Sequence, residues 1–123
     1  MRIKESAENY LEALLMLQKQ KGHVRSIDVA NYLGFSKPSV SVAMKSFRAD
    51  GYVDVDGDGN LSLTEKGMKI ATEMAERHDV LAKALMALGV SEAVAYEDSC
   101  KIEHDLSSES FEKIKAYFEK IKD

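Results

Sequence analysis

The stretch Gly34-Phe35-Ser36-Lys37-Pro38 most constrains how this chain can fold, because it breaks apart two runs that are both patterned as helices. Upstream, Ser26–Leu33 puts Val29, Ala30 and Leu33 on one face, with Ser26 in place to cap the helix start and Gly34 to end it. Downstream, Ser36 can cap a second run and Pro38 fits its first turn, where a missing N–H leaves no helical acceptor unsatisfied. From there to about Arg48, Val40, Ala43, Met44 and Phe47 face inward, while Ser39, Ser41, Lys45 and Arg48 face outward. Two short helices joined by a glycine turn, the second with a polar and basic outer face, form a helix-turn-helix whose second helix suits a DNA major groove. The same outer face also describes a plain solvated helix, so charge and context have to be weighed.

The formal net charge of -4 is unevenly spread. Residues 1–50 carry eight Lys/Arg against five Asp/Glu, a balance of +3, and residues 51–123 carry nine against sixteen, a balance of -7. A basic first part joined to an acidic second part implies a different partner for each.

The flanking segments complete a fold. Glu5–Gln20 carries Tyr10, Leu11, Leu14, Leu15 and Leu17 at amphipathic-helix spacing, and Gly22 interrupts it. After the helix-turn-helix, Val53 and Val55 alternate with Asp54 and Asp56, and Leu61 and Leu63 alternate with Ser62 and Thr64, around Gly57-Asp58-Gly59-Asn60. That is a β-hairpin, and a helix-turn-helix followed by a hairpin is a winged helix. The same letters match a calcium loop, with Asp54, Asp56 and Asp58 at alternate sites, Gly59 at the turn and Glu65 closing. A calcium loop needs a helix running straight into its first ligand, whereas Asp50-Gly51-Tyr52-Val53 ends a helix and starts an alternation, so the carboxylates are expected at a solvated wing tip.

Thr64 and Lys66-Gly67 open a long fourth helix to about Leu88, closed by Gly89, with Met68, Ala71, Ala75, His78, Ala82 and Leu85 in one stripe. Ser91 caps a fifth helix containing Tyr96–Ser107, and Ser107 or Ser108 starts a sixth with Phe111, Ile114, Phe118 and Ile121 on one face. The expected fold is mainly α: an N-terminal winged helix-turn-helix with a two-stranded wing over 1–72, then a helical domain over 73–123.

With 45% apolar and 31% charged residues, no signal-like start and no uncharged apolar run near the ~20 residues that span a bilayer, the expectation is a cytoplasmic protein with no membrane partner. The single Cys100 cannot form an internal disulfide, which agrees with a reducing compartment.

Cys100, Glu103 and His104 stand at i, i+3 and i+4, so a helix would put thiol, carboxylate and imidazole on one face. Sulfur, oxygen and nitrogen together suit a first-row transition metal better than calcium or magnesium, and His78 could add a second nitrogen. On the first helix Asn9 and Glu12 are similarly paired at i, i+3. Taken singly, Glu12 reads as a surface carboxylate, Cys100 as a small core residue and His78 as a packed imidazole.

A winged helix led by Ala7–Leu17, followed by Arg77–Val90 and then Cys100–Ser107, resembles the DtxR/MntR family of metal-dependent transcriptional repressors over nearly the whole chain. The resemblance implies a DNA-binding first domain and a second domain that forms the homodimer and completes the metal site. Carried over residue by residue, Glu12, His78, Cys100, Glu103 and His104 fall on metal-ligating positions and Asn9 on the remaining first-helix position. Two departures stand out: manganese regulators of the family carry Asp at Asn9 and Glu at Cys100, and the thiol looks like the iron-responsive branch, which has a thioether at Asn9. Ala82 and Tyr96 stand where that branch's ancillary site would place a carboxylate and an imidazole, so one principal site, or a second one built differently, is expected. The chain stops after the sixth helix, without the SH3-like third domain of larger members.

Cys100 favours Fe(II) first and Mn(II) second, with Co(II), Zn(II) or Ni(II) tolerated in vitro. Arg25, Ser36, Lys37, Ser39, Ser41 and Lys45 are the candidate DNA contacts on a double-stranded operator. A metal-independent winged-helix interaction module or transcription factor is the alternative. An enzyme is not expected, since no separate nucleophile or phosphate loop is present, and whether regulation is repression or activation rests on the family alone.

Overall fold

The computed structural model describes residues 5–122 and divides into two compact units, between Thr72 and Glu73. The first unit contains α1 (Glu5–Lys21), α2 (Ser26–Leu33), α3 (Lys37–Ala49), β1 (Val53–Val55) and β2 (Leu61–Leu63), and α4 (Glu65–Ala87) starts in it. Its core is made of Leu11, Leu14, Val24, Val29, Val40 and Val53, all fully buried. Tyr10 stands edge-on to Phe35 at 5.6 Å and to Phe47 at 5.5 Å, so one aromatic ring of α1 pins both the inter-helix turn and α3.

The start of α2 differs from expectation. Arg25, not Ser26, is the N-cap, and the Asp28 carboxylate reaches back to accept the Arg25 N–H at 2.9 Å. A carboxylate at the third helical position satisfies the backbone donor ahead of the helix, which leaves Ser26 within the first turn. The same carboxylate accepts from Lys21 Nζ, and these two hydrogen bonds, Lys21 first, hold the Asp28 carboxyl below its usual range. At the other end Gly34 adopts φ 73° and returns its N–H to the Ala30 carbonyl. Ser36 caps α3 as expected, its Oγ accepting the Ser39 N–H at 3.3 Å, with Pro38 in the first turn.

β1 and β2 pair antiparallel with Val53 opposite Leu63 and Val55 opposite Leu61. Leu61 also donates its N–H to the Val24 carbonyl at 2.7 Å, so the wing is stitched to the segment ahead of α2. At the tip, Asp56 Oδ1 accepts the N–H groups of Asp58 and Asn60, each at 2.9 Å, and Oδ2 accepts the Asn60 side chain at 3.1 Å. The carboxylate that the calcium motif would assign to an ion is instead spent on shaping a turn.

The base of the wing is tight. The Tyr52 carbonyl accepts the Thr64 N–H at 3.1 Å, and Thr64 Oγ1 donates to the Gly51 carbonyl at 2.6 Å while accepting the Gly67 N–H at 3.1 Å. A Cβ on Gly67 would lie 2.1 Å from the Tyr52 oxygen. This contact fixes which side of α4 turns inward. Gly67, Ala71 and Met74 are buried at i, i+4 and i+7, and Met68, expected in the inward stripe, is exposed.

In the second unit α4 continues to Ala87, followed by α5 (Glu92–Ile102) and α6 (Ser108–Lys122). Ser91 is the N-cap of α5, and Ser107 Oγ accepts the Ser110 N–H at 3.1 Å at the start of α6. α5 is shorter than expected and stops at Ile102, with Glu103 as its C-cap, because Asp105 turns its N–H to the Ile102 carbonyl and tightens the chain into a turn. Along α6 only the first part of the expected face is covered: Phe111 is buried, Ile114 and Phe118 are half-buried, and Ile121 is exposed. Among the described residues no helix is long and apolar enough to cross a membrane.

Gly67→Ala should destabilise the first unit by about 2–3 kcal/mol in urea unfolding, as an overpacked backbone contact, while Gly57→Ala, with nothing near its Cβ position, should change stability by less than about 1 kcal/mol. Hydrogen bonds from the Asn60 backbone and side chain, then the Asp58 backbone, hold the Asp56 carboxyl below its ordinary value of 3.8. A group depressed on folding stabilises above its unfolded value and loses that contribution as pH falls through the folded one. Carboxyl NMR should therefore show Asp56 titrating below 3.8, with the Asp58 and Asn60 amides losing protection over the same acid range.

Candidate metal centre and nucleic-acid interface

His78, on the second-unit part of α4, is where donor groups converge. Its Nδ1 lies 3.1 Å from Glu103 Oε2, 3.2 Å from Ser99 Oγ and 3.5 Å from Cys100 Sγ. The other Glu103 oxygen, Oε1, lies 3.3 Å from His104 Nε2. Glu103 and His104 are almost wholly buried, His78 is partly so, and Cys100 is exposed, so the cluster has oxygen and nitrogen on its inner side and sulfur toward solvent.

The geometry partly matches the sequence expectation. α5 does not carry all three of its candidate residues, because Glu103 and His104 follow its last residue. Glu103 nevertheless keeps helical backbone angles and donates its N–H to the Ser99 carbonyl at 3.0 Å, which preserves the i, i+4 relation the spacing implied. Asn9 and Glu12 lie half-buried on α1 in the first unit. Ala82 is buried and the Tyr96 ring packs 5.4 Å from the His78 ring.

The donor set fits a transition metal. Nitrogen, oxygen and sulfur ligands bound at about 2.0–2.3 Å to one ion must lie roughly 3–3.5 Å from one another. Glu103 Oε2 and Cys100 Sγ each stand at such a separation from His78 Nδ1. Mixed imidazole, carboxylate and thiol donors select such an ion over calcium or magnesium.

Two residues that sequence reasoning passed over support this centre. Ser99 is fully buried, and its hydroxyl, which donates to the Tyr96 carbonyl at 3.0 Å, also faces His78 Nδ1. Arg77 precedes His78, and its Nη1 donates to the carbonyls of Glu103 at 3.0 Å and Leu106 at 2.7 Å, while Nη2 reaches Ser108 Oγ at 3.4 Å. Those carbonyls belong to the end of α5 and the turn beyond it, where helical partners run out. The only available signal was an Arg beside the candidate ligand, a pattern too common to be singled out.

On the first unit, Arg25, Ser36, Lys37, Ser39, Ser41 and Lys45 are all exposed. Five of them belong to α3 and its cap, and Arg25 caps α2. The Ser36 hydroxyl is engaged locally, donating to Ser39 Oγ at 2.8 Å in addition to its capping bond.

Arg77→Met should lower stability by about 2–3 kcal/mol, the range for charge-assisted bonds to carbonyls left without a donor, and should speed amide exchange in the 103–108 turn. Arg77→Lys, which keeps the charge but not the fork, should recover only part of the loss.

The model for the iron-dependent repressor N-terminal DNA-binding domain matches residues 2–61, and that for the iron-dependent repressor metal-binding and dimerisation domain matches residues 64–123. An uncharacterised HTH-type transcriptional regulator of Methanocaldococcus jannaschii is 32% identical over 121 residues, covering 97% of each chain. The HTH-type transcriptional regulator MntR of Bacillus subtilis is 36% identical over 109 residues, covering 89% of this chain and 77% of the relative. The solved structure of a manganese-dependent transcriptional repressor in complex with manganese superposes with a TM-score of 0.81 at 25% identity, over 90% of this chain and 51% of that one, so the chain spans about half the length of that protein. The chain therefore belongs to the DtxR/MntR family of metal-dependent DNA-binding repressors, with a DNA-binding domain followed by a metal-binding and dimerisation domain.

Proposed function

We propose that this chain represses metal-uptake or metal-homeostasis genes, as a cytoplasmic homodimer that binds a double-stranded operator when a divalent transition metal is bound. The role is regulatory and not enzymatic. The observation that carries this reading is the convergence of Glu103 carboxylate and Cys100 thiol on His78 Nδ1, within the part of the chain matched to a metal-binding domain.

His78, Cys100, Glu103 and His104 would hold the ion, and Glu12, with Asn9, would supply the first unit's share of the ligands, as the family resemblance implies. A divalent cation there would supply positive charge to the Glu103 carboxylate and the Cys100 sulfur, both of which lie near His78. The two Glu103 oxygens lie beside the two imidazoles, Oε2 by His78 Nδ1 and Oε1 by His104 Nε2, and Arg77 keeps the Glu103 backbone in place. Fe(II) is the first choice because Cys100 adds a soft donor, and Mn(II) is the second, supported by the manganese-dependent relative.

Ser39, Ser41 and Lys45 on the outer face of α3 would meet the major groove, with Lys37 and Arg25 on phosphates. Ser36 acts through its cap, which holds the positive end of α3 where a phosphate can approach. A two-fold dimer must present its two α3 helices about 34–36 Å apart to meet successive grooves, so a metal that fixes the dimer would set DNA affinity through that spacing.

The test is fluorescence anisotropy with duplexes enriched by the protein from a random library, with chelator and then with Fe(II) under anaerobic conditions, Mn(II) and Zn(II). Fe(II) or Mn(II) should tighten binding at least about tenfold, within the usual range of coupling between two sites, and chelator should reverse it. Glu103→Ala and His104→Ala should lose that response. Equal affinity under every condition would leave a metal-independent winged-helix module.

A further inference from the structure

The outer face of α3 is not uniformly polar. Val42 is 69% exposed, more than the next most exposed large apolar side chain among the described residues of the first unit, Tyr32 at 50%. Val40, Met44 and Phe47 are buried and define the inward line of the helix. At ~100° per residue Val42 stands opposite that line, on the crest of the outer face, flanked by Ser39 and Ser46 on one side and by Ser41 and Lys45 on the other.

Nothing in the fold of α3 asks for valine there. A β-branched side chain in a helix loses rotamer freedom, and methyls left in water gain no burial. Lone exposed apolar residues are ordinary on protein surfaces, but this one sits at the centre of the face that the helix-turn-helix turns toward DNA. Its neighbours offer hydroxyls and an ammonium, which serve phosphates and polar base edges; Val42 offers only methyls. Of the groups lining the major groove, the C5-methyl of thymine is the one that methyls recognise. Val42 and the exposed Pro38 one turn before it, flanked by Ser39, Ser41, Lys45 and Ser46, make a patch too small for protein docking, which takes several hundred Å² per partner.

We propose that Val42 is a specificity-determining residue that packs on the C5-methyl of a thymine, one in each half-site of the operator. The inference rests on the DNA-binding role assigned to α3 above and adds to it a base and the atom by which that base is recognised.

The experiment uses the full chain with Mn(II) and a duplex enriched from a random library, in which each retained thymine is replaced in turn by deoxyuridine, removing one methyl and nothing else. At one symmetry-related position, replacement should weaken wild-type binding about fourfold per half-site, corresponding to ~0.8 kcal/mol for a methyl-sized group taken out of water. Val42→Ser, at an exposed position that leaves the fold intact by circular dichroism, should bind the thymine and deoxyuridine duplexes equally and keep the wild-type salt dependence. If no replacement weakens wild-type binding, or if Val42→Ser discriminates as the wild type does, Val42 is not the reader and DNA binding by α3 still stands. If no duplex is enriched with Mn(II) or with Fe(II), the DNA-binding reading falls and the role of Val42 with it.

Discussion

The candidate metal centre depends on how α5 ends. A helix leaves its last carbonyls without partners, and here the residue following α5 carries the central carboxylate, with an imidazole next in line, both side chains buried. The Arg77 guanidinium supplies donors to the Glu103 and Leu106 carbonyls, reaches Ser108 and lies 5.2 Å from the centre of the Phe111 ring. Lys115, on α6, adds an ion pair of 2.7 Å to Glu76, the residue before Arg77 on α4. Consecutive residues of α4 therefore divide the work: Arg77 holds the backbone of the turn, and His78 faces the side chains that the turn delivers.

The first unit solves a comparable problem with backbone groups and one threonine hydroxyl. Between the end of α3 and the start of α4 the chain must reverse through a hairpin without leaving buried polar groups unmatched. Tyr52, Gly51 and Thr64 exchange hydrogen bonds across the hairpin base, and Gly67 lets α4 start against the Tyr52 carbonyl. Because Leu61 is tied to Val24 as well, the wing, the entry to α2 and the start of α4 share one bonded framework. The recognition helix, packed within that framework through Val40, Met44 and Phe47, inherits its rigidity.

Much of this was legible in the sequence because it was written in periods and punctuation. The three-four spacing of Leu11 and Leu14, the Gly34–Pro38 break and the Val53–Leu63 alternation gave the winged helix, and the Cys100-Glu103-His104 spacing led to the cluster. What stayed hidden depends on contacts distant in sequence or on competition between local caps. Asp28 took the capping role from its neighbourhood by reaching back to Arg25, and Tyr52 decided the inward face of α4 by excluding a Cβ at Gly67. Arg77 and Ser99 were invisible because their roles lie in where a guanidinium and a hydroxyl arrive, 26 and 21 residues away along the chain.

The wing tip keeps shape and charge in separate residues. The Asp56 carboxylate supplies the side-chain oxygens that close the turn, whereas the exposed Asp54 and Asp58 carboxylates take no part in these bonds, Asp58 contributing only its backbone N–H. The electrostatic character of the hairpin can thus be rewritten, from repelling a polyanion to attracting one, by changing residues on which its conformation does not depend. The charge of the wing tip can therefore change while the bonds that shape the tip, and those that tie the wing to Val24, stay as they are.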